Sequence, residues 1–267
     1  MKYRMMALDL DGTLTNSQKE VTPRTREALL RAIDGGAVVV LASGRPTYGI
    51  EQVADCLEMD RRGGYVLSYN GGKIVDWRTK DELYAKHLPA DVLPRLHDFA
   101  RLHGHALLGY DGTDILTEMP DDRYVLEEAR INRMHVHRVD NLLEALPDRP
   151  TKLLMAGEPA DMVEAEERLH DIVGERMDLF RSAPFFIELV PRGIDKALSL
   201  QRLLSLLKLQ ATDLIAFGDG YNDLSMLRFA GMGVAMANAA PEVRAAADFV
   251  TLCNDADGVA HALEQLG

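Results

Sequence analysis

The chain has only two cysteines, Cys56 and Cys253, which excludes a disulfide framework and fits a reducing compartment. No apolar run approaches the length of a transmembrane helix. The opening MKYRMMALDLDG holds an apolar segment too short for a signal peptide and carries acids inside it, so the expected location is cytoplasmic. Basic residues are also scarce, with 30 Lys and Arg against 42 Asp and Glu and a net charge of −12. That balance argues against a nucleic-acid backbone or an anionic membrane as partner. It also means that a phosphate-bearing ligand needs local positive charge or a metal at its site. Internal repeats and low-complexity tracts are missing as well. What remains is an ordinary globular composition, 47% hydrophobic and 27% charged, in 267 residues. That length suits one large domain or two modest ones.

The most informative stretch is DLDGT, Asp9–Thr13, directly behind the apolar run Tyr3–Leu8. A short buried strand that ends in carboxylates and a glycine delivers charge to the carboxyl edge of a sheet, where α/β proteins bind ligands. Asp9 and Asp11 flank Leu10, so strand alternation predicts that both side chains point the same way. Two carboxylates that close need a cation or a shared proton, and beside phosphate the cation expected is Mg2+. A simple Asp-Gly turn is the other reading of these residues.

Further along, Thr22 and Pro23 read as an N-cap and first helical residue, with Ala28, Leu29, Ala32 and Ile33 as an apolar stripe that Gly35 and Gly36 stop. Ala37–Ala42 is a continuous β-branched run suited to a strand covered on both faces, and it releases Ser43, Gly44, Arg45 and Pro46. A helix over Tyr48–Met59 and a strand over Gly64–Ser68, ending in Asn70, Gly71 and Gly72, complete a βαβ texture that predicts a parallel sheet. From Leu83 to Leu189 the texture changes. Helical patterns at Ala90–His103 and Pro159–Val173 alternate with weaker strands at Ala106–Tyr110, Lys152–Ala156 and Phe185–Val190, which reads as an inserted domain. The expected organisation is a core of residues 1–83 and 190–267 around an insert of residues 84–189. In the last part a helix Lys196–Leu207, a strand Leu214–Phe217, the loop GDGYND and a helix Leu224–Phe229 return to the first texture. Short strands follow at Gly233–Met236 and Asp248–Thr251, with a helix over Pro241–Ala247 between them.

Four polar clusters thus stand at strand ends or helix starts: Asp9 with Asp11; Ser43, Gly44 and Arg45; Lys196; and Asp219 with Asn222 and Asp223. Each alone also reads as a turn, a cap or a solvated helix residue. Parallel topology would bring them to one edge, and acids, a lysine and a small hydroxyl together suit phosphoryl transfer through an aspartyl-phosphate. Charge on phosphorus would be offset by the metal and Lys196, with the Ser43 hydroxyl and backbone N–H groups holding phosphoryl oxygens. An acid two residues beyond the nucleophile can protonate the leaving alcohol, and Asp11 has that spacing.

In chain order DLDGT, Ser43 in LASGRP, Lys196 in GIDKALSL and GDGYND at Gly218–Asp223 resemble the four motifs of the haloacid dehalogenase superfamily of phosphatases. The insert after SYNGG resembles, in size and placement, the cap of the Cof-type branch, which acts on sugar phosphates and other small phosphorylated metabolites. The resemblance implies an α/β fold: a Rossmann-like parallel sheet core with helices on both faces, plus an inserted α+β cap domain. It implies that Asp9 is the nucleophile and a metal ligand, and that Asp11 is the general acid/base with its backbone carbonyl on the metal. Asp219 is then the third protein ligand of Mg2+, while Asn222 and Asp223 complete the acidic end. Ser43, the Gly44 amide and Lys196 hold the phosphoryl group, joined by Leu10, with Arg45 and Asn70 meeting substrate or orienting neighbours and Thr13 in support. Ala197 departs from the glycine often found after the lysine in such sequences, a change in local backbone. Asp11 favours phosphatase over dehalogenase. A phosphomutase and a receiver-like phosphoacceptor module remain as alternative readings, the latter needing only about half this chain. The expected partner is a small phosphorylated metabolite, with no nucleic acid and no membrane, and a monomer or weak homo-oligomer is expected.

Among other features, His135 and His137 would share one face if that segment is extended, and they read as a solvent-exposed pair. His103 and His105 flank a helix-ending Gly104, Glu164–Asp171 reads as a solvated helix face, and Trp77 and Tyr84 read as packing near the domain junction.

Overall fold

A computed structural model describes residues 2–147 and 149–266. The chain divides into two compact units, one running up to Tyr84 and resuming at Asp195, the other Ala85–Ile194. The divisions fall one and five residues later than the sequence pattern suggests. The second is displaced because the last strand of the insert runs on to Pro191 and the Gly193 N–H donates to Asp178 at 2.5 Å, which ties the exit segment to the insert.

In chain order the first unit begins with β1 (Met5–Leu8), α1 (Pro23–Asp34), β2 (Val38–Ala42), α2 (Glu51–Cys56), α3 (Met59–Arg62), β3 (Tyr65–Ser68), β4 (Lys73–Asp76) and β5 (Glu82–Ala85). Thr22 caps α1, its hydroxyl accepting from the Thr25 N–H. The single helix expected over Tyr48–Met59 is broken. Glu58 sits in the left-handed region at φ 57°, a conformation that ends a helix, and its carboxylate is held by Arg26 and Arg62.

The insert contributes α4 (Leu93–His103), β6 (Ala106–Asp111), β7 (Asp114–Thr117), α5 (Arg123–Asn132), β8 (His135–Arg138), α6 (Leu142–Ala145), β9 (Leu153–Ala156), α7 (Pro159–Val173), β10 (Met177–Ala183) and β11 (Phe186–Pro191). Its sheet has the order β10-β11-β9-β6-β7-β8 and is antiparallel except for the β7–β8 pair. Leu96, Phe99, Leu107, Met155, Leu169 and Ile187 lie in a hydrophobic core of its own, between α4, α7 and the sheet. The unit is α+β. Gly104 ends α4 at φ 70°, and the His135 and His137 side chains on β8 are exposed.

The first unit then resumes with α8 (Lys196–Leu206), β12 (Leu214–Gly218), α9 (Leu224–Phe229), β13 (Met232–Ala235), α10 (Pro241–Ala245), β14 (Phe249–Val250) and α11 (Gly258–Leu266). Its sheet order is β14-β13-β12-β1-β2-β3-β4-β5. All pairs from β14 to β3 are parallel, and β3–β4 is antiparallel, so the sheet is mixed rather than wholly parallel. The reversal comes at Tyr69, Asn70 and Gly71, which all take positive φ. Met6, Leu8, Val39 and Leu41 face one hydrophobic core with α1 and α11, while Met5, Ala7, Val40 and Ala42 face another with α8 and α9. Burial on both faces is why these strands are uniformly apolar. Trp77 is buried in the first of these cores, with Lys80 over its ring. Among the described residues no helix is long and apolar enough to cross a membrane.

This topology places the site. The chain leaves β1 toward β2 and β3 on one side and returns as β12 on the other, so the strand order reverses between β1 and β12. A crevice forms at the carboxyl ends of strands where such a reversal occurs. Leu8 pairs with Phe217 in register, and the next residues of both strands are the acidic loops.

Candidate active site

Asp9 follows β1 directly. Its N–H donates to the Phe217 carbonyl at 3.0 Å, which continues the ladder by one bond and fixes the residue beside the end of β12. Its carboxylate is buried and accepts from Lys196 Nζ at 2.7 Å, and the same ammonium donates to Asp223 Oδ1 at 2.6 Å. Lys196, the first residue of α8, is 1% exposed. Asp223 turns its other oxygen to the N–H groups of Asp219 and Gly220, at 3.0 and 2.9 Å, which folds the loop after β12 around its own carboxylate. One oxygen from each of Asp9, Asp219 and Asp223 lies within 4.8 Å of the others.

Three acids gather here, and one lysine bonds two of them. Burial, then repulsion from Asp223, pushes the Asp9 carboxyl up to about 8 despite Lys196. Asp219 is also raised, first by burial and against the hydrogen bond from Thr13. Burial would discharge Lys196, but Asp223 and Asp9 outweigh it and keep the ammonium firmly charged. The surplus negative charge and the all-oxygen donor set fit a hard divalent cation such as Mg2+, which prefers carboxylates and tolerates few protein ligands.

Asp11 stands apart. Arg45 donates to both its oxygens at 2.7 and 2.6 Å, and Lys19 adds a bond at 2.7 Å. Burial favours its neutral form, but Arg45 and then Lys19 prevail and hold the carboxyl below the usual range. Because β1 ends at Leu8, the alternation expected to aim Asp9 and Asp11 together does not extend to them, and each carboxylate is taken by different partners. Gly12 at φ 86° makes the turn, and a Cβ there would collide with the Asp219 carboxylate. Thr13 Oγ1 donates to Asp219 Oδ1 at 2.6 Å. The Leu10 side chain is wholly buried in the core, so any part it plays toward phosphate falls to its backbone.

Ser43 ends up buried just past β2, its N–H on the Leu67 carbonyl and its hydroxyl accepting from the Arg45 N–H at 3.2 Å. Asn70, at φ 56°, donates its N–H to the Ser43 carbonyl and accepts at Oδ1 from Asn222 Nδ2 at 3.0 Å. A Cβ on Gly44 would lie 3.1 Å from the Asn70 amide, so the glycine admits that side chain. Asn70 therefore joins the loop after β2 to the loop after β12.

Lys19 and Asn238 belong to this network, though their residue types do not mark them. Asn238 Nδ2 donates to the Gly12 carbonyl at 2.8 Å and to Asp219 Oδ2 at 3.4 Å. Its position after β13, a strand whose end also meets this edge, is the one signal that could have pointed to it.

Comparisons with known proteins identify the family. Residues 6–263 match the family described as haloacid dehalogenase-like hydrolase. The crystal structure of a haloacid dehalogenase-like hydrolase from Bacteroides thetaiotaomicron is similar at 48% identity and TM-score 0.97, covering 100% of both chains. The Bacillus subtilis (strain 168) protein YxeH is 32% identical over 99% of this chain and 98% of its own length. A second protein of that organism, 5-amino-6-(5-phospho-D-ribitylamino)uracil phosphatase YitU, is 30% identical over 99% of this chain and 97% of its own.

Proposed function

The chain belongs to the haloacid dehalogenase-like hydrolases, a hydrolase of phosphate monoesters, and on that premise we propose that it works through a phosphoryl group carried on Asp9. The observation that carries this reading is the meeting of Asp9, Asp219 and Asp223 around one buried lysine at the crossover between β1 and β12.

In the first step an Asp9 oxygen bonds to phosphorus as the bond from phosphorus to the ester oxygen breaks. The departing alkoxide takes a proton from Asp11. Water then attacks the same phosphorus and gives its proton to Asp11, the bond to Asp9 breaks, and inorganic phosphate leaves. Arg45 and Lys19 hold Asp11 in the ionised form that accepts the proton from water. Its donation to the alcohol requires that it be protonated once substrate is in place. Lys196 uses two of its three protons on Asp9 and Asp223, which leaves one for a phosphoryl oxygen. The Ser43 hydroxyl and the Gly44 N–H serve the other oxygens, and Asn70 and Asn222 hold the loops that carry them.

Asp9, Asp219 and Asp223, with the Asp11 carbonyl, would hold Mg2+, which neutralises charge on the phosphoryl oxygens and keeps Asp9 ionised. The substrates proposed are small phosphorylated sugars or polyols, in line with the phosphoribityl compound in the name of YitU. Turnover of p-nitrophenyl phosphate and of a panel of sugar phosphates, with Mg2+ and with a chelator, tests the reading. Mg2+-dependent release of phosphate is expected, Asp11→Asn lowering it by about 10²- to 10⁴-fold. Undiminished turnover in Asp9→Asn would overturn it.

A further inference from the structure

Asn238 lies 226 positions from Gly12 in sequence, yet its carboxamide touches both halves of the proposed metal cluster. Nδ2 donates to the Gly12 carbonyl at 2.8 Å, inside the turn that follows Asp9, and at 3.4 Å to Oδ2 of Asp219. Oδ1 accepts from the Asn254 N–H at 3.1 Å, which fixes which end of the amide faces the acids. Thr13 holds the other oxygen of Asp219, so that carboxylate is gripped from both sides by neutral donors. Neutral donors orient a carboxylate without taking up its charge. A lysine in the same place would compete with a cation.

The arrangement is also crowded. Gly12 and Asp219 approach too closely for any side chain at position 12, and Asp219 Oδ2, the oxygen nearest that backbone, is the one Asn238 reaches. The segment after β14 fastens the Asp9 loop at further points. Asn254 Nδ2 donates to the Thr15 carbonyl at 2.9 Å, and Asp255 accepts from the N–H and hydroxyl of Ser17 at 2.7 and 2.5 Å. Those ties grip the loop beyond the turn and do not reach Asp219.

We propose that Asn238 is a positioning residue for the divalent-cation site: it sets the orientation of Asp219 relative to Asp9 and thereby governs cation affinity rather than substrate affinity. This rests on the metal-assisted reading above. Residues that orient a ligand typically change metal affinity by about 10- to 100-fold when removed.

The test is calorimetric titration of the full-length chain with Mg2+ alone, comparing wild type, Asn238→Ala and Asn254→Ala, with thermal melts of each. Asn238→Ala is expected to weaken Mg2+ binding about 10-fold or more. At saturating Mg2+ its KM for p-nitrophenyl phosphate should stay within about twofold of wild type. Asn254→Ala removes a tie to the same loop but keeps the Asn238 amide, so its Mg2+ affinity should be unchanged. Wild-type affinity in Asn238→Ala, or equal losses in both variants, would overturn the positioning role and leave the phosphatase reading intact. A wild-type chain that takes up no Mg2+ would remove the metal from the proposed function, and this inference with it.

Discussion

Lys196 is the residue on which the buried charges balance. It is enclosed and touches two carboxylates, so replacing it leaves buried Asp223 without its cation and takes the donor from Asp9. Breaking a buried pair in this way costs about 3–5 kcal/mol, because the remaining charge keeps its desolvation penalty. Lys196→Met should therefore lose about 3 kcal/mol or more in urea unfolding at neutral pH with chelator present. A loss below about 1 kcal/mol, the range of a surface pair, would place the lysine outside the balance. Asp9, Asp219 and Lys196 are readable in the chain because each stands where a buried strand or helix meets a loop. The grip of Arg45 and Lys19 on Asp11, and of Asn238 on Asp219, is not readable. Those contacts depend on how separate loops meet at one sheet edge, and the residue types involved are equally at home in solvent.

Among the elements, the central strands were legible for one physical reason: β1, β2 and β12 are covered on both faces and carry unbroken apolar runs. In the insert β8 and β10 are partly exposed, so HVHR and MDLFRSA mix polar and apolar residues, and β7, though largely buried, is a four-residue DILT with two polar residues; all three escape a reading that looks for such runs. Helix α5 escapes for a related reason, since part of what it buries is polar. Its Glu128 is 6% exposed, accepts from Tyr110 at 2.8 Å, and lies near the buried pair of Lys152 with Glu188. Burial pushes the Glu128 carboxyl up, and Lys152 only partly offsets this. In the unfolded chain the group titrates near its ordinary 4.5. Above that pH the folded chain keeps a proton that the unfolded chain has lost, so stability falls as pH rises toward the folded value. Glu128→Gln removes the titration. Its urea midpoint should exceed that of wild type at pH 8, with the gap narrowing toward pH 4.5. A gap that widens on acidification would mean that Glu128 is stabilised as an anion, with Lys152 dominating.

At the scale of the whole molecule, a net charge of −12 must coexist with a substrate that is itself an anion. The basic groups at the site do little to reverse this at a distance. Lys196 is shared by Asp9 and Asp223, while Arg45 and Lys19 are both spent on Asp11. An approaching phosphate ester therefore meets a repulsive field, and an approaching Mg2+ an attractive one. Salt shortens the reach of both, from about 30 Å at 0.01 M to about 8 Å at 0.15 M. The two ligands should consequently respond with opposite signs. With Mg2+ saturating, kcat/KM for a small sugar phosphate should rise as NaCl increases over that range, kcat staying level because the groups that do the chemistry are buried and poorly screened. With substrate saturating, the Mg2+ concentration for half activity should rise as well, since screening removes the attraction that gathers the cation. The measurement is a pair of titrations at four or five salt concentrations. If kcat/KM for the ester instead falls with salt, a local positive field outweighs the charge of the whole, and cationic side chains beyond these three must guide the phosphate in.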